Sequence, residues 1–359
     1  MRIAADKNIL FAKEAFSTLG DAVMFELNDI VNENLKGFDS LLVRSTVKVD
    51  ETLLKNTGIK FVGSAVAGID HVDTEYLRKR NIGFSAANGC NARSVTEYVL
   101  TSIYSFCNPA DAVVGIIGVG NIGSKVAETL QALGVRTILN DPILNERSAP
   151  LDYLARNSDI ITVHVPLTKT GEHKTENLLG AEFWDKTKSS VFLIQTSRGP
   201  VCDEKALLKI KNPVIDVWAD EPDINIELAK NCLYHTPHIA GHSFDGKVFG
   251  TKIIYEALCD FVSQKPSFDF KKEVFDKIEK QTLEYDKDIA DILMKCRPIK
   301  EDSQNFKRLF SEKNTDERKR IFKELRQNYP KRFEFARYTI TDTPPKIADE
   351  LRILGFNVR

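Results

Sequence analysis

The sequence has almost no net charge. The 359-residue chain carries 50 lysines and arginines against 51 aspartates and glutamates, which leaves a formal net charge of -1. Proteins that bind nucleic acid or an anionic membrane through a general positive field need a basic surplus. We therefore expect neither a nucleic-acid nor a membrane partner, although a local basic pocket for a small anion remains compatible with this composition.

Long apolar runs and paired cysteines are also lacking. No segment approaches the roughly 18 consecutive apolar residues that a membrane-spanning helix requires. The segment Met1–Asn8 has no long apolar core of the kind found in signal peptides. The six cysteines are scattered without a Cys-x-x-Cys pair, which favours free thiols in a reducing compartment. These observations together predict a cytoplasmic protein.

Short apolar runs alternate with helical patterns over the first two thirds of the chain, which is typical of parallel α/β folds. At 359 residues the chain is too long for one hydrophobic core, so several domains are expected. The predicted strands are Met1–Ala5, Ser40–Arg44, Lys60–Gly63, Val113–Ile117, Val135–Leu139, Ile160–Val165, Val191–Gln195 and Pro213–Val217. The predicted helices include Ile9–Leu19 and Asn91–Phe106, the second with a capping box of Ser94 and Glu97.

The chain changes character after about residue 265. Charged residues dominate as far as Tyr329, and they are followed by a predicted strand, Arg332–Ile340, and a predicted helix, Lys346–Leu354. This part contains no motif with recognisable chemistry. It is therefore expected to be a separate small α+β unit.

A glycine-rich dinucleotide-binding pattern follows the strand Val113–Ile117. The glycines suit a tight turn, a close approach of the pyrophosphate and close packing of helix on strand, and the helix amino terminus attracts phosphate. Asp141 ends the next strand, eighteen residues after the last glycine, where it can bind the adenosine ribose and repel a 2′-phosphate. The pattern predicts NAD as cofactor. The residues assigned to it are Gly118, Gly120, Asn121, Ile122, Gly123 and Asp141.

Three later motifs place titratable side chains just after strands or beside glycines, where ligands of open parallel sheets bind. Oxidising a hydroxyl next to a carboxylate needs a cation for the carboxylate, and Arg198 offers a bidentate fork. It needs a base near neutral pH, and His238 is the natural choice. Glu221 can orient that imidazole. The expected catalytic residues are therefore Arg198, Glu221 and His238.

The ordered motifs GVGNIG, SRGPV, DVWADEP and TPHIAG resemble the D-isomer-specific 2-hydroxyacid dehydrogenases. The resemblance implies two Rossmann-like domains, each a doubly wound parallel sheet, flanking a cleft, and a small C-terminal α+β dimerisation domain. It implies that the arginine, glutamate and histidine are catalytic and that Asp216 and Gly241 lie on the cofactor side. The implied domains are 1–92 with 243–265 for substrate, 93–242 for NAD, and 266–359 for homodimer formation.

Three N-terminal segments, Leu42–Val49, Lys60–Asp73 and Gly83–Asn91, resemble a member of that family that acts on a phosphorylated four-carbon acid, 4-phospho-D-erythronate. By that resemblance Ser45 contacts substrate, and Arg44 and Lys48 are placed to receive a phosphate. Two positions depart from the pattern, because Val66 replaces a threonine and His242 replaces a tyrosine. Both departures fall among the expected substrate-binding residues, so they bear on the identity of the small anionic 2-hydroxy acid.

Two further interpretations stay open at this stage. The first alternative is a different 2-hydroxy or 2-oxo acid, or a protein that binds NAD as a signal without catalysis. The second is a zinc site, suggested by the spacing of Cys232, His235, His238 and His242. Pro237 and Gly241 interrupt any helix that would aim these ligands at one point, so no metal is expected.

Overall fold

The computed structural model describes the backbone of residues 1–359 and every side chain except those of Asn145 and Glu146. The chain forms two compact units, and each is discontinuous in sequence. The first unit comprises residues 1–91 and 243–279, and the second comprises residues 92–242 and 280–359. The finer three-domain boundaries expected from the sequence remain a prediction.

Strands and short helices alternate along most of the chain. The strands are β1 (Arg2–Asp6), β2 (Asp21–Phe25), β3 (Ser40–Val43), β4 (Phe61–Ser64), β5 (Gly83–Ala86), β6 (Val113–Ile117), β7 (Arg136–Asn140), β8 (Ile160–Val163), β9 (Phe192–Gln195), β10 (Val214–Ile215), β11 (Tyr234–His235), β12 (Gln281–Glu284), β13 (Tyr338–Thr341) and β14 (Asn357–Val358). The helices are α1 (Ala12–Phe16), α2 (Glu51–Leu54), α3 (Thr74–Lys79), α4 (Ala92–Phe106), α5 (Gly123–Ala132), α6 (Leu151–Asn157), α7 (Ala181–Trp184), α8 (Glu204–Leu207), α9 (Ile226–Asn231), α10 (Phe244–Phe261), α11 (Phe270–Glu273), α12 (Ile289–Cys296), α13 (Ile299–Phe306), α14 (Arg308–Ser311), α15 (Thr315–Gln327) and α16 (Pro345–Leu354).

The first unit is built on a five-stranded sheet in the order β2-β1-β3-β4-β5, and each pairing is parallel. All four residues of β3 and all four of β4 are buried, as expected for parallel strands covered on both faces. Helix α10 returns from later in the chain to cover one face. A Cβ on Gly250 would lie 2.5 Å from the carbonyl oxygen of Ala65, so glycine permits this close packing.

The second unit is built on a six-stranded sheet in the order β11-β10-β9-β8-β6-β7, again with parallel pairings. The chain runs from β6 to one neighbour, β7, and then crosses to the other, β8. Doubly wound sheets bind ligands at such a switch point, beyond the carboxyl ends of the strands. Both units therefore have the α/β, Rossmann-like architecture that the sequence predicts.

Residues 280–359 share the hydrophobic cores of the second unit. On one side of the sheet, residues of α12 such as Ile292 and Leu293 pack in the same core as Val99 and Ile103 of α4. On the other side, Phe306 and Phe322 join the core that contains Trp218. A small parallel sheet, β12-β13-β14, completes this region. The C-terminal residues are thus part of the framework that carries the nucleotide-binding pattern.

Two local expectations were wrong. The predicted capping box does not form, because α4 begins at Ala92 and both of its residues serve partners far away in sequence. Ser94 donates to the carbonyl oxygen of Ala240, and Glu97 accepts the backbone N–H of Phe335 at 2.8 Å. The predicted strand Arg332–Ile340 is shorter than expected, because Phe335–Arg337 forms a turn of 3₁₀ helix and the strand begins at Tyr338.

Within the part of the chain that the structure describes, no helix combines the length and the apolarity needed to cross a membrane.

Candidate active site

The glycine-rich turn after β6 has the geometry of a phosphate-binding loop. Gly118 has a φ of +84°, and a Cβ there would lie 2.7 Å from the side chain of Val165 at the end of β8. A Cβ on Gly123 would lie 1.9 Å from the carbonyl oxygen of Gly118, which fixes the close approach of α5 to the turn. Around Gly120, by contrast, there is open space within 4 Å. The turn therefore exposes backbone at the amino end of α5, where a pyrophosphate fits.

Asp141 lies beside this turn, at the end of β7. One of its carboxylate oxygens accepts the backbone N–H of Val119 at 2.8 Å, and the other accepts the N–H of Ile143 at 3.0 Å. Its own N–H donates to Ser148 at 2.9 Å. The acidic group is thus fixed next to the glycine loop, as expected for a residue that binds a ribose hydroxyl.

The half-buried His164 lies beside the glycine turn, because a Cβ on Gly118 would be 2.9 Å from the backbone of His164. His164 follows β8, and its ring contacts the hydroxyls of Thr162 at 2.9 Å and Thr196 at 3.4 Å. Burial lowers the pKa of His164 to about 3, so the ring is neutral throughout the physiological range. A ring in this state accepts and donates hydrogen bonds as a neutral imidazole.

Arg198 lies in a tight turn after β9, and the buried side chain of Gln195 shapes that turn. The amide oxygen of Gln195 accepts from the N–H and hydroxyl of Ser197, and its amide nitrogen donates to the carbonyl oxygen of Arg198 at 3.0 Å. A Cβ on Gly199 would lie 2.0 Å from the backbone of Trp218, so only glycine permits this approach. The arginine turn is thereby held against the segment that leads to Glu221.

His238 and Glu221 form a direct contact. Nδ1 of His238 lies 2.5 Å from Oε1 of Glu221, and the two side chains are 25% and 23% exposed. The pair is therefore accessible from solvent. Because Nδ1 is bound to the carboxylate, Nε2 is the ring atom left to exchange a proton with a substrate. This is the orientation expected for a general base held by an acidic partner.

Asp216 holds the backbone around His238. Its carboxylate is buried and accepts from the hydroxyl of Thr236 at 2.6 Å and from the N–H groups of Ile239 at 2.7 Å and Ala240 at 2.9 Å. Its carbonyl oxygen accepts the N–H of His238 at 2.8 Å. The sequence suggested a place on the cofactor side for Asp216 and Gly241, and those two assignments remain predictions. The contacts of Asp216 show that it also shapes the histidine loop.

In the first unit, Arg44 is bound to an acid that sequence reasoning missed. Its Nε lies 2.9 Å from Oδ2 of Asp6, whose side chain is fully buried at the end of β1. Asp6 also accepts the N–H of Asn8 at 2.8 Å. Asp6 therefore fixes the guanidinium at the carboxyl edge of the five-stranded sheet. The one indication of this role in the sequence is that Asp6, a charged residue, ends a strand whose three preceding residues are apolar.

Lys247, in the first turn of α10, is a second cation near Arg44 and was also missed. Burial lowers the pKa of Lys247, and the charge of Arg44 lowers it further. Lys48, which the sequence suggested instead, is 81% exposed and pairs with Asp50 at 2.8 Å. The structure thus brings Arg44 near Lys247 at the edge of one sheet.

The remaining expected substrate residues lie in both units. Ser45 is exposed in the turn after β3, and the half-buried Val66 follows β4. His242 belongs to the second unit, and its ring packs edge-on against Tyr329 with centroids 5.8 Å apart. Their roles in substrate binding remain predictions. His235 lies between the rings of Phe306 and Phe310, an environment unlike that of a metal ligand.

Comparison with known proteins agrees with this site. Residues 98–240 match the family described as D-isomer specific 2-hydroxyacid dehydrogenase, NAD binding domain. Among solved structures, the chain is similar to NAD⁺-bound 3-phosphoglycerate dehydrogenase from Entamoeba histolytica, with a TM-score of 0.64 and 24% identity over 73% of this chain and 95% of that one. It is also similar to D-lactate dehydrogenase from Aquifex aeolicus, with a TM-score of 0.57, 23% identity and coverage of 73% and 96%.

Curated relatives extend the similarity to the full length. An erythronate-4-phosphate dehydrogenase from Wigglesworthia glossinidia brevipalpis is 38% identical over 99% of this chain and 98% of its own length. Another protein of that name, from Pseudoalteromonas translucida (strain TAC 125), is 38% identical over 100% of both chains. The chain belongs to the D-isomer specific 2-hydroxyacid dehydrogenase family, and it is an NAD-dependent dehydrogenase. Within that family it is similar over its whole length to the erythronate-4-phosphate dehydrogenases.

The histidine–glutamate contact generates a first prediction. His238→Ala should lower kcat by roughly two to four orders of magnitude, the usual contribution of a general base. Glu221→Gln should also be impaired, because an amide that donates to Nδ1 leaves the proton on Nε2, the wrong tautomer for a base. NADH binding, followed by fluorescence titration, should persist in both variants. Wild-type turnover in both would contradict the assignment.

Asp141 generates a second prediction. The wild type should use NAD in clear preference to NADP, because the carboxylate repels a 2′-phosphate. Asp141→Ala should narrow the ratio of kcat/KM for NAD over NADP, and Asp141→Asn separates charge from hydrogen bonding. The measurement is steady-state kinetics with each cofactor in turn. Equal use of NAD and NADP by the wild type would show that Asp141 does not select the cofactor.

Proposed function

We propose that the protein oxidises 4-phospho-D-erythronate to 2-oxo-3-hydroxy-4-phosphobutanoate, a step of pyridoxal 5′-phosphate biosynthesis, with NAD as hydride acceptor. The observation that carries the proposal is the full-length similarity to relatives named erythronate-4-phosphate dehydrogenase. The His238–Glu221 pair supports a dehydrogenase with a working base, in preference to a protein that only senses NAD. Turnover of the phosphorylated acid, followed as NADH formation, tests the proposal.

The proposed chemistry assigns one task to each catalytic side chain. Arg198 holds the substrate carboxylate and the C2 oxygen, since its planar fork matches paired oxygens. His238 takes the proton of the C2 hydroxyl at Nε2, while Glu221 fixes the ring through Nδ1. The electrons of the O–H bond form the carbonyl as C2 gives up a hydride, and bound NAD would supply the hydride acceptor. Gly118, Gly120, Gly123 and Asp141 would hold the dinucleotide.

The phosphate of the substrate is assigned to the cations of the first unit. Arg44 is fixed by Asp6, and Lys247 lies close enough to have its pKa lowered by Arg44 as well as by burial. Two cations that repel each other gain when a dianion neutralises both of them. The exposed hydroxyl of Ser45 adds a donor at the same edge of the sheet. Val66 and His242 stand where the resembling enzymes have a threonine and a tyrosine, and their contact with substrate is part of the proposal.

This assignment yields a third prediction, with Lys48 as the matched control. Lys247→Ala should lower kcat/KM for 4-phosphoerythronate relative to unphosphorylated erythronate by roughly ten- to a hundredfold, the effect of losing one charge-assisted contact. Lys48→Ala should leave the ratio unchanged, because that lysine pairs with Asp50. An equal effect of both substitutions, or no effect of Lys247→Ala, would contradict a phosphate contact at Lys247.

The direction of the pKa shift gives the same prediction a pH dependence. Because its pKa is lowered, Lys247 loses its charge at a lower pH than an ordinary lysine. The KM for the phosphorylated acid should therefore rise on the alkaline side, and Lys247→Arg should flatten that rise. The unphosphorylated acid should show no such difference between wild type and variant.

The homodimer expected from the family resemblance is also part of the proposal. Light scattering of the full-length protein should give about twice the mass of one chain. The full-length chain is the appropriate sample, because removing the C-terminal residues would expose the cores they share with the rest of the second unit. A monomeric mass across the concentration range would contradict this part.

A further inference from the structure

The loop that carries His238 has a strained backbone. His238 has a φ of +58°, in the left-handed region that residues other than glycine rarely adopt. Such a conformation persists only where the surroundings hold it in place. On one side the holding groups belong to Asp216, which binds the N–H groups of His238, Ile239 and Ala240. The carboxylate of Asp216 only accepts hydrogen bonds, so the buried carbonyl oxygens of the same loop require a partner that donates.

That partner is Arg297, from the turn between α12 and α13. The residue is 2% exposed, and its guanidinium donates to the carbonyl oxygens of Ile239 at 2.8 Å and His242 at 2.9 Å, and to that of Ala240. Ser94 of α4 also donates to the carbonyl oxygen of Ala240 at 3.0 Å. Among the described residues, no carboxylate lies within ion-pairing distance of Arg297. Besides these three backbone carbonyls, Arg297 donates to the hydroxyl of Ser94 at 3.4 Å.

Other C-terminal residues contact the same stretch of chain. The hydroxyl of Ser303 accepts the N–H of His235 at 3.2 Å, just before the loop. The ring of Tyr329 packs against His242 at its end. Tyr329 is itself fixed by donating to Asp302 at 2.7 Å. Residues 297–329 therefore contact the chain on both sides of His238.

We infer that Arg297 is a positioning residue for the reaction, and that by binding the carbonyl oxygens of Ile239, Ala240 and His242 it holds the His238 imidazole against Glu221. The inference rests on the proposed catalytic role of His238. It gives the C-terminal residues a task in catalysis that is separate from any part they play in dimer formation. Arg297 acts through the loop and contacts neither substrate nor cofactor in this role.

The kinetic test compares Arg297→Met with wild type, using 4-phosphoerythronate and NAD. A base displaced by about 1 Å costs on the order of a hundredfold, so kcat should fall by roughly ten- to a hundredfold while KM for NAD changes little. Arg297→Lys should recover part of the loss, because one ammonium can still reach a carbonyl. Guanidinium at sub-denaturing concentration should restore part of the activity of Arg297→Ala.

Arg93 provides the matched control. It also links α4 to a C-terminal carbonyl, because it donates to the carbonyl oxygen of Leu354 at 3.0 Å, and it pairs with Glu97. Arg93 has no hydrogen bond to residues 236–242, all of which the structure describes. Arg93→Met should therefore keep the wild-type kcat even if it lowers the melting temperature. Ser94→Ala, which removes a single donor to Ala240, should give a smaller loss than Arg297→Met.

Hydrogen exchange supplies a readout that needs no substrate. In Arg297→Met the amides of residues 236–242 should exchange faster than in wild type, and in Arg93→Met they should not. Unchanged exchange in this loop would overturn the inference, as would faster exchange with full kcat. If the wild type oxidises no tested acid, the proposed function fails, and the exchange comparison still decides whether Arg297 holds the loop.

Discussion

The loop of the second unit that carries His238 depends on one buried carboxylate, that of Asp216. Asp216 accepts three hydrogen bonds from Thr236, Ile239 and Ala240 through its side chain, and its carbonyl accepts a fourth from His238. A buried charge is costly unless such donors surround it. Here two of the three donors to the carboxylate are backbone N–H groups of the histidine loop, and the third is the hydroxyl of Thr236. The carboxylate and the left-handed conformation of His238 therefore stabilise each other, and the contact with Glu221 follows from both.

Much of the second unit could be predicted because its signals are local. Strand β6 lies where its apolar run predicts, and the glycine spacing correctly predicted a tight turn and a close helix. The approach of His238 to Glu221 could also be foreseen, because each lies beside a strand or a glycine at one edge of a parallel sheet. In these cases one short stretch of sequence contains both the strand or turn and the side chain whose position it determines.

The groups that hold the site in place could not be predicted. Arg297 lies 58 positions from Ile239, and Asp6 lies 38 positions from Arg44, so no local pattern links either pair. Ser94 and Glu97 have the right spacing for a capping box, yet tertiary partners take both side chains. In the sequence Gln195 looks like any other strand residue, and its role appears only in the structure, where its side chain binds Ser197 and Arg198 of the following turn. Such contacts arise from topology, and a single sequence carries little trace of them.

The discontinuity of both units has a consequence for synthesis on the ribosome. The first unit lacks α10 until residues 243–261 have been made, and the second lacks part of both cores until residues 280–359 have been made. A nascent chain that already contains the whole nucleotide-binding turn still exposes the apolar residues that residues 280–359 later cover. The first unit can therefore complete its packing only after residues 243–279 have been made, and the second only after residues 280–359 have been made. Apolar surface that is exposed in this way during synthesis is prone to aggregation until the missing segment covers it.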